Sequence, residues 1–172
     1  MKSNQAPFNK KAMLEKLQSL QSDAFKTKSP EDIKALYKGQ ALELLASFQL
    51  LEHSLKMYIC AVNRAVQALV KGKLVFKFDD REVESYPLER LIGLFQKLSD
   101  DESLVCELNA LRRLRNDVAH NSLLAVSCDK DFDNEEIFFA GVDFWVREGD
   151  VKLCIESILS KVDEVRRFSI QS

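Results

Sequence analysis

Apolar positions recur every three or four residues in four long stretches of this chain, the period of one face of an α-helix. The longest runs from about 40 to 71, through Leu44, Leu45, Phe48, Leu51, Leu55, Tyr58, Ile59, Val62, Val66 and Leu69. Residues 87–98 repeat the pattern with Leu88, Leu91, Ile92, Phe95 and Leu98, and 102–120 do so with Leu111, Leu114 and Val118. Residues 150–168 complete the set with Val151, Ile155, Ile158, Leu159, Val162, Val165 and Phe168. The punctuation agrees with the period. Ser29-Pro30-Glu31-Asp32 has a capping hydroxyl, a proline suited to the first helical position and two acids in the first turn. Gly39 is placed to break or bend the helix that starts there, and Lys71-Gly72-Lys73 is suited to a helix C-terminus. With only five glycines and three prolines in 172 residues, the chain reads as all-α, an antiparallel four-helix bundle.

The intervening segments are less regular. Residues 74–86 alternate partly between apolar and polar around Asp79-Asp80, which admits a short β-hairpin or an irregular insert. From Asn121 to Asp150 the pattern is hardest to read. Residues 129–136 hold five acids against Lys130 and predict an exposed loop. Asp129-x-Asp131-x-Asp133 resembles the opening of a calcium loop, but Asn134 and Ala140 stand where that loop needs Gly and Glu, so calcium is rejected. Ile137-Phe138-Phe139 and Val142-x-Phe144-Trp145-Val146 predict aromatic cover over the bundle or a dimer contact, with base stacking as the sharper alternative. Residues 1–28 form a basic arm, six lysines against Glu15 and Asp23, with the helix-like apolar positions Phe8, Met13, Leu14, Leu17 and Leu20. The expected organisation is therefore an N-terminal helical arm over 1–28, packed outside a bundle domain over 29–172.

Composition narrows the function classes. The chain is 46% hydrophobic and 30% charged, the balance of an ordinary globular domain, and its net charge of −2 means that any nucleic-acid site must be a local patch. Cys60, Cys106, Cys128 and Cys154 are scattered without Cys-x-x-Cys spacing, and with two histidines in all no metal site or cofactor is readable. Three of the cysteines sit in apolar helical sequence and read as reduced core residues. No apolar run is long enough to span a membrane or to serve as a secretory signal, which predicts a cytoplasmic protein with no membrane partner. Gly-rich phosphate loops, Gly-x-Ser-x-Gly and His-Glu-x-x-His are all absent.

Chemistry concentrates instead in Leu111-Arg112-Arg113-Leu114-Arg115-Asn116-Asp117-Val118-Ala119-His120. The stripe 111/114/118 faces a core, while Asn116 and His120 share another face. Arg115 and His120 are five apart, roughly 140° around an ideal helix, within reach of a long guanidinium stem. On residue chemistry alone, these arginines are surface cations favoured near a helix C-terminus, with His120 as a capping residue and Asn121 ending the helix.

Arg115-Asn116-x-x-x-His120 also resembles the signature of the HEPN superfamily, small helical domains marked by Arg, four to six residues, then His, often with a polar residue after the Arg. The resemblance covers about residues 40–168. It implies a HEPN-like bundle and a metal-independent endoribonuclease, in a toxin–antitoxin or phage-defence setting, with RNA as substrate and an antitoxin or nucleotidyltransferase as protein partner. It further implies that Arg115, Asn116 and His120 are catalytic and that two motifs meet across a symmetric homodimer interface in one cleft. Arg112 and Arg113 would contact flanking RNA phosphates. Glu52, on the first long helix, would orient Arg115 or His120, and the neighbouring His53 is a weaker candidate for such a role. Two other classes remain open: a non-catalytic HEPN-like module that binds a nucleotide, a nucleic acid or a toxin partner, and a helical protein–protein adaptor.

Overall fold

A computed structural model of the chain describes residues 28–122 and 133–171, and the arm at 1–27 and most of the 121–132 segment lie outside the described residues. Among those described there is no strand. The elements are α1 (Pro30–Val70), α2 (Asp80–Glu84), α3 (Leu88–Leu98), α4 (Glu102–Asp117), a π-helical turn (Val118–Ser122) and α5 (Asn134–Gln171).

Helix α1 starts where its residues direct. Ser29 Oγ accepts from the Asp32 N–H at 3.2 Å, and the Asp32 carboxylate accepts from the Ser29 N–H and hydroxyl, a reciprocal capping box with Pro30 inside it. Those bonds from Ser29 hold the Asp32 carboxyl below its usual range. Gly39 does not break the helix. Ile33, Tyr37, Ala41, Leu44, Phe48, Leu51, Leu55 and Tyr58 are buried along one side, and this packing spans the glycine and outweighs its weak helix propensity. The helix ends at Val70, with Gly72 at φ 79°, the left-handed conformation expected of a glycine just past a C-terminus.

Helix α5 is the larger departure from expectation. It begins at Asn134, not near 150, so the aromatic segment is helical and continuous with the final helix. Ile137, Phe138, Phe144, Val151, Cys154, Ile158 and Val162 are its buried positions. Of the exposed loop expected over 129–136, residues 129–132 lie outside the described residues and 134–136 are the first turn of this helix. Residues 74–86 also differ from the hairpin alternative. Asp79 caps a short helix by accepting from the Arg81 N–H at 2.9 Å, and Val83 anchors it in the core.

Helix direction is read from contacts. Tyr37 packs on Phe144 with ring centroids 5.2 Å apart, Ser47 Oγ donates to Glu148 Oε1 at 3.1 Å, and Ala61 and Ala65 share a groove with Val165 and Ser169. Numbers rise together on both helices, so α1 and α5 run parallel. The antiparallel expectation holds for α3 and α4, joined through 99–101 and clamped by an Arg112–Glu89 ion pair, and for α4 against α5. There Lys161 Nζ lies 3.1 Å from Asp101 and the Cys154 thiol donates to Glu107 at 3.6 Å. Parallel long helices need a return path, and the α2–α4 unit supplies it. Gly141 lets the long pair approach closely: a Cβ there would meet the Tyr37 Cα at 3.4 Å. All elements feed one core, with Phe48, Phe95, Leu91, Leu108 and Ile158 fully buried. Of the three described cysteines, all reduced, Cys154 is core, Cys60 is half-buried and Cys106 is exposed, so the core expectation fails for Cys106.

Candidate functional site at the end of helix α4

Leu111 and Val118 are buried and Leu114 is packed against the core, as their spacing predicts. This fixes the rotation of the last turns of α4. Arg115 is left half-buried, and Asn116 and His120 are exposed. Arg115 Nη1 donates to Asn116 Oδ1 at 3.4 Å, so the guanidinium and the amide already face each other.

The helix then changes character. Val118–Ser122 form a π turn, held into α4 by the Val118 N–H donating to the Arg115 and Leu114 carbonyls. A π turn closes i→i+5 bonds and is therefore wider than an α turn. Each residue in it advances by less than the α-helical step, so Arg115 and His120 come closer in azimuth than on a straight α-helix.

The other residues singled out from sequence divide. Arg112 is committed to an ion pair with Glu89, whereas Arg113 is exposed. Glu52 is half-buried on α1, and among the described residues it has no hydrogen bond or ion pair to Arg115 or His120. No such bond reaches His120 either, so nothing described fixes its tautomer. His53 lies elsewhere, in a groove of about 620 Å³ between the C-terminal halves of α1 and α5 and the short α2. None of Arg115, Asn116 and His120 lines that groove.

The groove has chemistry that sequence reasoning did not single out. Met57, Ala61, Ala65 and Val165 give it apolar lining, and Lys56, Arg64, Arg166, Asp80 and Glu84 bring charge. Arg64 pairs with Asp80, which raises the guanidinium's proton affinity further, and Lys56 Nζ lies 3.5 Å from the Glu84 carboxylate and donates to the Glu84 carbonyl. Burial, then the negative charge of Asp80, push the Cys60 thiol up to about 11, so it stays protonated at neutral pH. The available signal was the four-residue spacing of Lys56, Cys60 and Arg64, which puts them on one face of α1, away from the buried stripe.

Among the described residues, no group of three His, Cys, Asp or Glu side chains could hold a metal ion, and no helix is long and apolar enough to cross a membrane. Compared with models of known protein families, with curated proteins and with solved structures, the chain matches none.

Proposed function

We propose that this protein is a metal-independent endoribonuclease of the HEPN type, acting as a homodimer. The observation that carries the reading is the pairing of Arg115 with Asn116 at the end of α4, followed directly by a π turn that carries exposed His120. In the reaction the 2′-oxygen attacks phosphorus, its proton passes to a base, the bond from phosphorus to the 5′-oxygen breaks, and an acid protonates that oxygen. A 2′,3′-cyclic phosphate and a 5′-hydroxyl result. The imidazole of His120 can accept or donate a proton and so suits either proton transfer. Arg115 suits the added charge on phosphorus through paired hydrogen bonds, and Asn116 orients it. One motif supplies one histidine, so a second copy related by a two-fold axis would complete the set. Arg113 is the exposed cation for a flanking phosphate; Arg112 would first have to leave Glu89. A toxin–antitoxin or phage-defence role, with an antitoxin or nucleotidyltransferase as partner, follows only from the resemblance.

The test is cleavage of labelled RNA in EDTA. His120→Ala should lower the rate by roughly two to four orders of magnitude and Arg115→Ala by about two to three, with helicity and dimer mass unchanged. A 2′-deoxy substitution at the scissile nucleotide should block the reaction. A second reading, a module that binds RNA without cutting it, rests on the same exposed groups, Arg113, Asn116 and His120. Salt-sensitive binding with intact product-free RNA would establish that reading. Loss of melting temperature in His120→Ala, with neither binding nor cleavage, would sink both.

A further inference from the structure

From the groove between α1, α2 and α5 we infer that the protein has a second binding site, separate from the Arg115–His120 motif, for a small organic phosphate carried on a flat apolar body. The volume, about 620 Å³, falls in the range of small-molecule sites. The floor is apolar and made of narrow side chains, Ala61 and Ala65, between Met57 and Val165, which leaves room for a ring.

Charge selects an anion. Lys56, Arg64 and Arg166 face Asp80 and Glu84, a surplus of one cation in a chain whose net charge is −2. Both acids stand on α2 and each is already held, Asp80 by Arg64 and Glu84 by Lys56. On the opposite wall Arg166 pairs, among the described residues, with Asp163, one turn away on its own helix, at 3.8 Å. Guanidinium groups from two walls therefore flank an apolar floor, and a planar fork of donors suits a phosphate better than a point charge would. The Cys60 thiol stays neutral and lines the groove without reacting.

The experiment is calorimetric titration of the full chain with 1-naphthyl phosphate, with 1-naphthol and inorganic phosphate as separate arms. Saturable one-to-one binding tighter than about 1 mM is expected for the naphthyl phosphate, with each fragment at least tenfold weaker. Arg166→Ala should weaken binding about fivefold, the effect of one exposed charge-assisted contact. Arg64→Ala should weaken it more, because it also leaves Asp80 bare at the mouth. Asp80→Asn should act in the opposite direction and tighten binding about threefold, since it frees the Arg64 guanidinium. Ala61→Phe should fill the groove and abolish binding, with the melting curve reporting that the fold survives. The inference is overturned by absence of saturation, by equal binding of 1-naphthol, by Asp80→Asn weakening the complex, or by loss of binding in His120→Ala with no effect of Arg64→Ala.

Discussion

Tyr58→Phe tests how the helical hairpin is held to the long helices. Tyr58 is 5% exposed, its ring packs on Phe95 with centroids 4.9 Å apart, and its hydroxyl donates to the Leu98 carbonyl at 2.9 Å. Leu98 is the last residue of α3, and Ser99 after it is extended, so that carbonyl has no partner within its own helix. Phenylalanine keeps the ring and its contacts but removes the donor. The loss is one hydrogen bond plus part of the desolvation of the carbonyl, about 1–2 kcal/mol. For a domain of this size that lowers the melting temperature by roughly 2–8 °C. Tyr58→Ala, which also opens a cavity beside Phe95, should cost about 3–5 kcal/mol. Burial raises the phenol's pKa above its ordinary 10.0, with Lys161 partly offsetting it. The neutral form is thus favoured by folding: this stability is full below pH 10 and lost as pH rises through the folded value. Thermal melts at pH 7 and above pH 10 measure both effects. A Tyr58→Phe melt within 1 °C of wild type, with unchanged alkaline behaviour, would refute the idea that this bond ties α3 to α1.

Gly39→Ala should stabilise the protein by about 0.5–1 kcal/mol, because a Cβ there meets nothing within 4 Å and the residue lies inside a continuous helix; Gly72→Ala, at φ 79°, should cost about 1–2 kcal/mol, and paired urea melts report both. A thiol-reactive disulfide reagent should modify exposed Cys106 quickly and buried Cys154 only on unfolding, a comparison best made in a Cys128→Ser background. Burial and then Glu107 push the Cys154 thiol from 9.0 up to about 12, so its contribution is full below pH 9 and lost as pH climbs toward 12; a melting temperature that stays flat over that interval would contradict it.

How much of this was legible in the sequence depends on what each pattern encodes. Periodicity encodes which face of a helix is apolar, and it gave α3 and α4 within a few residues of their observed ends, but α1 only from about residue 40, ten past its start at Pro30. It does not encode which helix covers that face, so the parallel pairing of α1 and α5 could not be read from it. Helix α5 was hidden at its start because Phe138, Phe139, Phe144 and Trp145 crowd every face with large side chains, and because Gly141 and Gly149 mimic breakers. Gly141 serves close approach to Tyr37 instead. In 74–86 the alternation of Leu74, Phe76 and Phe78 competed with a capping signal at Asp79, and the cap prevailed because Val83 could reach the core. At the motif, the stripe 111/114/118 fixed the outward set correctly. The π turn left no sequence signature, and the Arg112–Glu89 pair joins residues too far apart in the chain for local spacing to show it.

The motif and the groove are also separate in space, which bears on how far one proposal depends on the other. Asp101 lies beside Lys161 and Glu107 beside Cys154 on the antiparallel pair α4 and α5. Continuing that register brings His120 level with about Gly141, where α5 lies against Tyr37 near the start of α1. The groove lies at the other end, against Val165 and Ser169. At 1.5 Å per helical residue the two are roughly 35 Å apart. They are joined by the long parallel pair, whose buried faces pack from Tyr37 to Val162, and by α4, which runs from the motif back to Asp101 beside Lys161. Residues this far apart without shared partners act independently to within a few tenths of a kcal/mol. Coupling between them would require α1 and α5 to adopt a second packing arrangement, and the seam is pinned against sliding by Ser47 on Glu148 and by Gly141 on Tyr37. A ligand in the groove is therefore expected to leave the chemistry of His120 unchanged, and each site is to be judged by its own variants.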